Sequence, residues 1–327
     1  MELRKVRALM AQILASSRSF SSGSRDLIGE LAAAGHDVVL ATPTHDLDEL
    51  RPLLSDAVAW IAGTGPVTAA HLDAAPNLRV VARYGVGFEA VDLAAAAERG
   101  ILVTNTPGAN SGAVADHTVG LMLAVLRGTT LGDRRVRAGD WSVHRGRELG
   151  SLTVGIVGFG RIGQGVARRL SGFGSLVVAH DPWLGDDAMR AAGAEPLDLF
   201  EMAAACDLVT LHAPGGATIV DAGWLASARE GLVLVNTARP ELIDEAALAR
   251  ALRDGRIAGF AADTLAGDVS GLPSPLLAED LSTTVVVTPH FGAQTVEAVD
   301  AMGSIAVDNV LAVLAGDTPP NPVPLKG

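Results

Sequence analysis

Gly158-Phe159-Gly160-Arg161-Ile162-Gly163 decides the fold. An apolar run, 152–157, precedes it and reads as a buried parallel strand. A helix-period stretch, 164–173, follows it. A second apolar run, 176–179, then leads to Asp181. This is G-x-G-x-x-G in strand–turn–helix–strand context, with an acid at the expected distance, and it points to a dinucleotide. The first glycine makes the tight turn, the second admits the pyrophosphate, and the third lets helix and strand pack closely. Phe159, Arg161 and Ile162 complete the loop, and the helix N-terminus offers unpaired N–H groups to the phosphates. Asp181 suits the adenine ribose hydroxyls and repels a 2′-phosphate, so NAD is expected over NADP.

Working outward, strands are predicted at 153–157, 176–180, 208–211, 232–236, 259–262 and 285–288. An earlier series is predicted at 8–15, 37–41, 57–61, 79–82 and 101–103, with helices at 25–34, 45–54 and 68–74 between them. Alternating strands and helices mean parallel sheets covered on both faces. The apolar helix expected at 111–127 reads as packed on all sides, at a domain or subunit interface. The polar stretch 128–150 reads as a connector. The helix expected at 296–314 follows a completed sheet, so it is expected to return to the first domain.

The chain has 327 residues, enough for two domains. Hydrophobic content of 49% against 19% charged makes a large core easy to build. A net charge of −12 argues against nucleic acid, whose phosphates call for basic patches. One cysteine, Cys206, excludes a disulfide framework, and the histidines lack metal-ligand spacing, so no metal is expected. Residues 1–15 faintly mimic a signal peptide but read better as a first strand. No membrane span is expected, and the cytoplasm is the expected compartment.

Three polar residues lie beyond strand ends in the second half: Arg239, Asp268 and His290. Ligands of doubly wound sheets bind beyond the carboxyl ends of strands. His290 suits proton transfer near neutral pH, and a carboxylate at Asp268 would raise its pKa and hold its tautomer. Arg239 can bind a carboxylate bidentately. Together they suit hydride transfer at a carbon bearing oxygen. The serine-rich loop 16–25 follows the first strand. With Arg18 and Arg25, and a helix starting near Ser24, it suits a second anionic group.

At this point the chain resembles the D-isomer-specific 2-hydroxyacid dehydrogenases, in their phosphoglycerate-dehydrogenase-like branch. The motifs are Arg83-Tyr84-Gly85-Val86-Gly87, Asn105-Thr106-Pro107-Gly108 with Asn110, the glycine loop with Asp181, Asn236-Thr237-Ala238-Arg239, and Thr288-Pro289-His290-Phe291-Gly292-Ala293. The resemblance implies a Rossmann-type NAD domain (108–292) inserted in a flavodoxin-like substrate domain (1–107 and 293–327). It implies that the Val86 and Gly87 N–H groups, with Arg239, hold a substrate carboxylate and that His290 is the general acid/base. It implies that Asp263 touches the nicotinamide amide, that His212, Ala213 and Pro214 line the cofactor cleft, and that Thr237 and Gly292 lie at the nicotinamide end. It further implies a homodimer and a small 2-hydroxy or 2-keto acid as substrate. A doubly anionic acid of 3-phosphoglycerate or phosphonopyruvate type is the alternative, and a non-catalytic NAD-sensing protein a third. Two departures stand out: Pro240-Glu241 follows Arg239 where the family has Gly-Gly, and Asp268 stands where it has Glu.

Overall fold

The computed structural model describes residues 11–267 and 273–324. Contacts gather them into two compact units: residues up to Asn110 together with those from Gln294 onward, and Ser111–Ala293.

The first unit alternates β1 (Ala11–Ser16), α1 (Leu27–Ala33), β2 (His36–Leu40), α2 (Leu47–Leu54), β3 (Ala57–Ala62), α3 (Ala69–Asp73), β4 (Val80–Arg83), α4 (Leu93–Glu98) and β5 (Leu102–Thr104). The sheet order is β2-β1-β3-β4-β5, with parallel pairing throughout. The order reverses at β1, as in flavodoxin-like sheets. Side-chain caps set helix starts. Asp46 accepts from the N–H groups of Asp48 and Glu49, so α2 opens at Leu47 and not at the expected residue 45.

The second unit holds α5 (Ser111–Arg127), α6 (Thr129–Arg137), β6 (Thr153–Val157), α7 (Arg161–Ser171), β7 (Leu176–His180), α8 (Asp186–Ala191), β8 (Glu195–Pro196), α9 (Leu199–Ala205), β9 (Leu208–Leu211), α10 (Ala222–Ser227), β10 (Leu232–Asn236), α11 (Glu245–Arg253), β11 (Ile257–Ala262) and β12 (Val285–Val287). Its order is β12-β11-β10-β9-β6-β7-β8, again parallel. Alternate residues of each strand feed two separate apolar layers. Val157, Val209, Leu234 and Phe260 join one, and Ile156, Leu208, Val235 and Ala261 the other. Both faces are therefore covered, which is why these strands read as unbroken apolar runs. Cys206 is fully buried, and burial with the neighbouring Asp207 charge pushes its thiol up to about 12.

Two expectations need correction. The connector 128–150 contains α6, a helix with no buried residue in this chain. Within the chain α5 buries one stripe and leaves Gly112, Asp116, Gly120 and Arg127 exposed. The last helix, α12 (Val296–Ala315), is long and apolar enough to cross a membrane, contrary to the expected lack of such a run. Here it packs in the first unit on α1, β3 and β4, and its apolar character serves that core.

Candidate active site

Strand register lines up the site of the second unit. His180 pairs with Val157, Val157 with Leu211, Leu211 with Asn236, Asn236 with Ala262, and Ala262 with Val287. The next residue on each strand is Asp181, Gly158, His212, Thr237, Asp263 and Thr288. One row at the carboxyl edge of the sheet thus carries or immediately precedes the candidate residues of this unit whose placement is described. The glycine loop sits where the sheet order reverses, between β6 and β9.

The loop fits a dinucleotide. Gly158 has φ +87°, and a Cβ there would lie 2.6 Å from the backbone of His212 and Ala213. A Cβ at Gly163 would strike the Gly158 carbonyl, so this third glycine lets α7 close on β6. A Cβ at Gly160 would meet nothing within 4 Å, which leaves the space over the helix start open. Gly160 caps α7 with no side chain, so no capping side chain of its own competes for the first-turn N–H groups. Arg161 is exposed and Ile162 half-buried. Asp181 accepts hydrogen bonds from the N–H groups of Phe159 (2.7 Å) and Trp183 (2.9 Å). A cavity of about 300 Å³ beside it is lined by Asp181, Asp186, Asp198 and Glu201, with His180, Leu197 and Met189. Burial lowers the His212 pKa to about 3, so this ring is neutral at physiological pH; Ala213 is half-buried and Pro214 exposed.

Asp263 is 4% exposed and accepts four donors. Oδ1 takes the Thr288 hydroxyl (2.5 Å), the Phe291 N–H (3.0 Å) and His117 Nε2 (3.3 Å). Oδ2 takes the Gly292 N–H (2.8 Å). Burial pushes this carboxyl up, but the hydrogen bonds outweigh it and hold its pKa below the ordinary value. Three of the donors belong to the turn that carries His290. His290 itself is exposed and has φ +52°, the left-handed region that L side chains rarely adopt. Both Asp263 oxygens are thus engaged by this turn, in addition to the expected role toward the nicotinamide amide.

Asn236 shapes the other catalytic segment. Its side chain accepts the Ala238 N–H (3.0 Å) and donates to the Arg239 carbonyl (2.9 Å). Arg239 is half-buried, and Pro240 begins a 3₁₀ turn, Pro240–Leu242, at the point where the sequence departs from the Gly-Gly of the resembled family. The Thr237 hydroxyl lies 2.8 Å from that of Thr118 on α5. Asp268 lies outside the described residues.

In the first unit, the carbonyls of Gly85, Val86 and Gly87 accept from the Thr106 N–H, the Asn105 amide and the Arg83 guanidinium. Among the described residues, none accepts from the N–H groups of Val86 or Gly87. The loop therefore presents donors, as a carboxylate needs. The serine-rich loop departs from expectation. Helix α1 starts at Leu27 with Asp26 as its cap, not near Ser24. Asp300 of α12 captures Ser24 and the Arg25 N–H, and the Arg25 guanidinium pairs with Glu30 at 2.7 Å. Arg18 is exposed.

Sequence reading missed His117 and Thr118. Their signal was available: the polar triplet Asp116-His117-Thr118 interrupts the apolar helix 113–126.

Fold and site together define a two-unit α/β protein built around a dinucleotide loop. Residues 119–292 match the family described as D-isomer specific 2-hydroxyacid dehydrogenase, NAD binding domain. D-3-phosphoglycerate dehydrogenase of Mycobacterium tuberculosis is 39% identical over 288 residues, 86% of this chain and 54% of that protein. Glyoxylate reductase of Thermofilum pendens is 37% identical, over 84% of this chain and 80% of that protein. The crystal structure of the NADPH-dependent glyoxylate/hydroxypyruvate reductase of Sinorhizobium meliloti, with NADP and malonate, is 30% identical. It superposes with a TM-score of 0.80 over 97% of each chain. The chain belongs to the D-isomer specific 2-hydroxyacid dehydrogenase family and carries its NAD-binding domain. It spans about half the length of the phosphoglycerate dehydrogenases it matches.

Proposed function

We propose that the protein is an NAD-dependent D-2-hydroxyacid dehydrogenase, or 2-ketoacid reductase, acting at C2 of a small acid. The observation that carries this is the single row of strand ends bearing the glycine loop, Asp181, the Thr237–Arg239 segment and the His290 turn. Bound NAD(H) supplies or accepts the hydride. In reduction the His290 imidazolium gives its proton to the carbonyl oxygen, and in oxidation the neutral ring takes it from the hydroxyl. Arg239 binds the substrate carboxylate in two hydrogen bonds and polarises the adjacent carbonyl. The N–H groups of Val86 and Gly87, free among the described residues, are of the kind that bind a carboxylate. A catalytic role for Asp268 belongs to the same proposal.

NAD is the preferred cofactor. Asp181, Asp186, Asp198 and Glu201 ring the cavity beyond β7 and oppose a 2′-phosphate. A homodimer and a cytoplasmic location belong to the same proposal. The dimer is supported by α6, which has no fully buried residue in this chain, and by Trp141 and Val143, 78% and 95% exposed in the segment after it.

The test is NADH oxidation with a panel of 2-keto acids: glyoxylate, pyruvate, hydroxypyruvate and phosphonopyruvate. Turnover with at least one supports the proposal. Tight NADH binding with no turnover on any of them would favour a non-catalytic NAD-sensing protein.

A further inference from the structure

We propose that His117, near the middle of α5, is a positioning residue that holds the His290 turn in its working geometry; this rests on His290 being the acid/base of the proposed reaction. The turn needs an outside support. The His290 N–H meets the Thr288 carbonyl at 2.9 Å across Pro289, and His290 then adopts φ +52°. A non-glycine residue keeps that conformation only where its surroundings over-determine it. Asp263 supplies part of the restraint by gathering Thr288, Phe291 and Gly292. Those donors all belong to the turn itself. His117 is the donor to Asp263 that comes from a different element.

Its protonation pattern follows from the geometry. The Thr288 hydroxyl has one proton, and the 2.5 Å contact directs it to Asp263. At 3.0 Å from His117 Nε2, the Thr288 oxygen must therefore accept, so Nε2 carries a hydrogen. The same N–H leans toward Asp263 Oδ1 at 3.3 Å. Packing agrees with this support. The His117 and Phe291 rings lie 5.0 Å apart, and a Cβ at Gly292 would sit 3.2 Å from His117 Cδ2 and 2.9 Å from Asp263 Oδ2. The imidazole fills the space beneath the turn.

The adjacent residue repeats the arrangement. Thr118 donates to the Val114 carbonyl at 2.7 Å, so its oxygen accepts from the Thr237 hydroxyl at 2.8 Å. Thr288 stands two residues before His290, and Thr237 two residues before Arg239. Consecutive residues of one helix thus brace the two segments that carry the proton-transfer and carboxylate-binding side chains. His117 and Thr118 set the two segments in register with one another.

The experiment compares His117→Leu, His117→Gln, His290→Ala and the double variant His117→Leu/His290→Ala. A glutamine amide can reach where Nε2 stands. Small displacements of reacting groups cost up to about 10²-fold in rate. We expect His117→Leu to lower kcat for keto-acid reduction by at least about tenfold, with NADH affinity within about twofold of wild type. His117→Gln should recover most of the rate. In the His290→Ala background, His117→Leu should cost nothing further. Hydrogen exchange gives a readout independent of turnover: amides of Phe291 and Gly292 should exchange faster in His117→Leu, while those of 158–163 keep their protection. Should the leucine variant fold poorly, Thr288→Val removes the same contact from the other side. An unchanged kcat, an equal loss in the His290→Ala background, or unchanged exchange at Phe291 and Gly292 would overturn the proposal. If the wild-type protein reduces no keto acid, the proposed reaction fails, and the exchange result alone decides whether His117 holds the turn.

Discussion

The Asp181 carboxylate accepts a hydrogen bond from the backbone N–H of Phe159 at 2.7 Å, joining the end of β7 to the glycine loop. The acid proposed to bind the ribose is thereby oriented by the loop proposed to bind the pyrophosphate. Cofactor choice should follow. We expect NADH to exceed NADPH in kcat/KM, and Asp181→Ser to narrow or reverse the ratio by relieving repulsion of the 2′-phosphate. Steady-state kinetics with both cofactors is the check; an equal or better NADPH efficiency in the wild type would refute it.

The glycine loop offers a paired test. Gly158→Ala must place a side chain at φ +87° and 2.6 Å from the backbone of His212 and Ala213. The left-handed conformation alone costs an L residue about 1–2 kcal/mol, so this variant should melt clearly lower. Gly160→Ala meets nothing in the protein. It should melt like wild type but bind NADH more weakly, because its methyl occupies the pyrophosphate path. Equal melting temperatures for the two variants would contradict the geometry.

His290→Ala should lower turnover by about 10²–10⁴-fold, the usual contribution of a general acid/base. NADH titration by fluorescence should return nearly the wild-type affinity, since the exposed ring stands in the turn held by Asp263, on a different strand end from the glycine loop. Retained turnover would move the acid/base role elsewhere.

Stability should fall with acid through His45. This residue is 2% exposed, and its Nε2 lies 2.7 Å from the Ser16 hydroxyl. Burial lowers its pKa to about 4, against hydrogen bonds to the Pro66 and Ser16 carbonyls and with help from Arg83 and His71. Above pH 6.5 the ring is neutral folded or unfolded, so its contribution is intact. Between pH 6.5 and about 4 only the unfolded chain takes the proton, and stability drops by on the order of 3 kcal/mol. His212 acts in the same direction over a range extending to about pH 3. Asn tolerates the φ of +57° found at residue 45, so His45→Asn should flatten the fall in melting temperature over this window. An undiminished fall would assign the acid sensitivity to other groups.

The serine-rich loop makes a separate prediction about substrate. With Arg25 held by Glu30, only Arg18 of its two guanidinium groups is left for a second anion. Arg18→Ala should cost a doubly anionic keto acid more than pyruvate if such an acid is the substrate. Equal effects on both would exclude that role.

What the sequence made legible follows from physics that acts locally. Parallel strands covered on both faces must be apolar runs, so β6, β7, β9 and β10 stood out at once. The glycine motif names its own turn, and residues one or two past a strand end fall beside it. Elements supported by little burial were less legible. Helix α6 has no fully buried residue, and β8 is a two-residue strand, so neither leaves a clear hydrophobic period. The start of α1 was misplaced because Asp26 caps it, while Asp300, far along the chain, holds Ser24 and the Arg25 N–H outside the helix. His117 was hidden for a similar reason. Its partners Asp263 and Thr288 are distant in sequence, and a polar residue in an apolar helix does not announce what it faces.

The buried state of Cys206 has a practical side. With its thiol pushed up to about 12 and no exposure to solvent, the only sulfhydryl of the chain is inert toward maleimides and mild oxidants. A cysteine placed at a surface position such as Val143 would then be the sole reactive thiol. Fluorophores or spin labels could be attached there without first stripping a native background, so the proposed subunit association could be tested in otherwise wild-type protein.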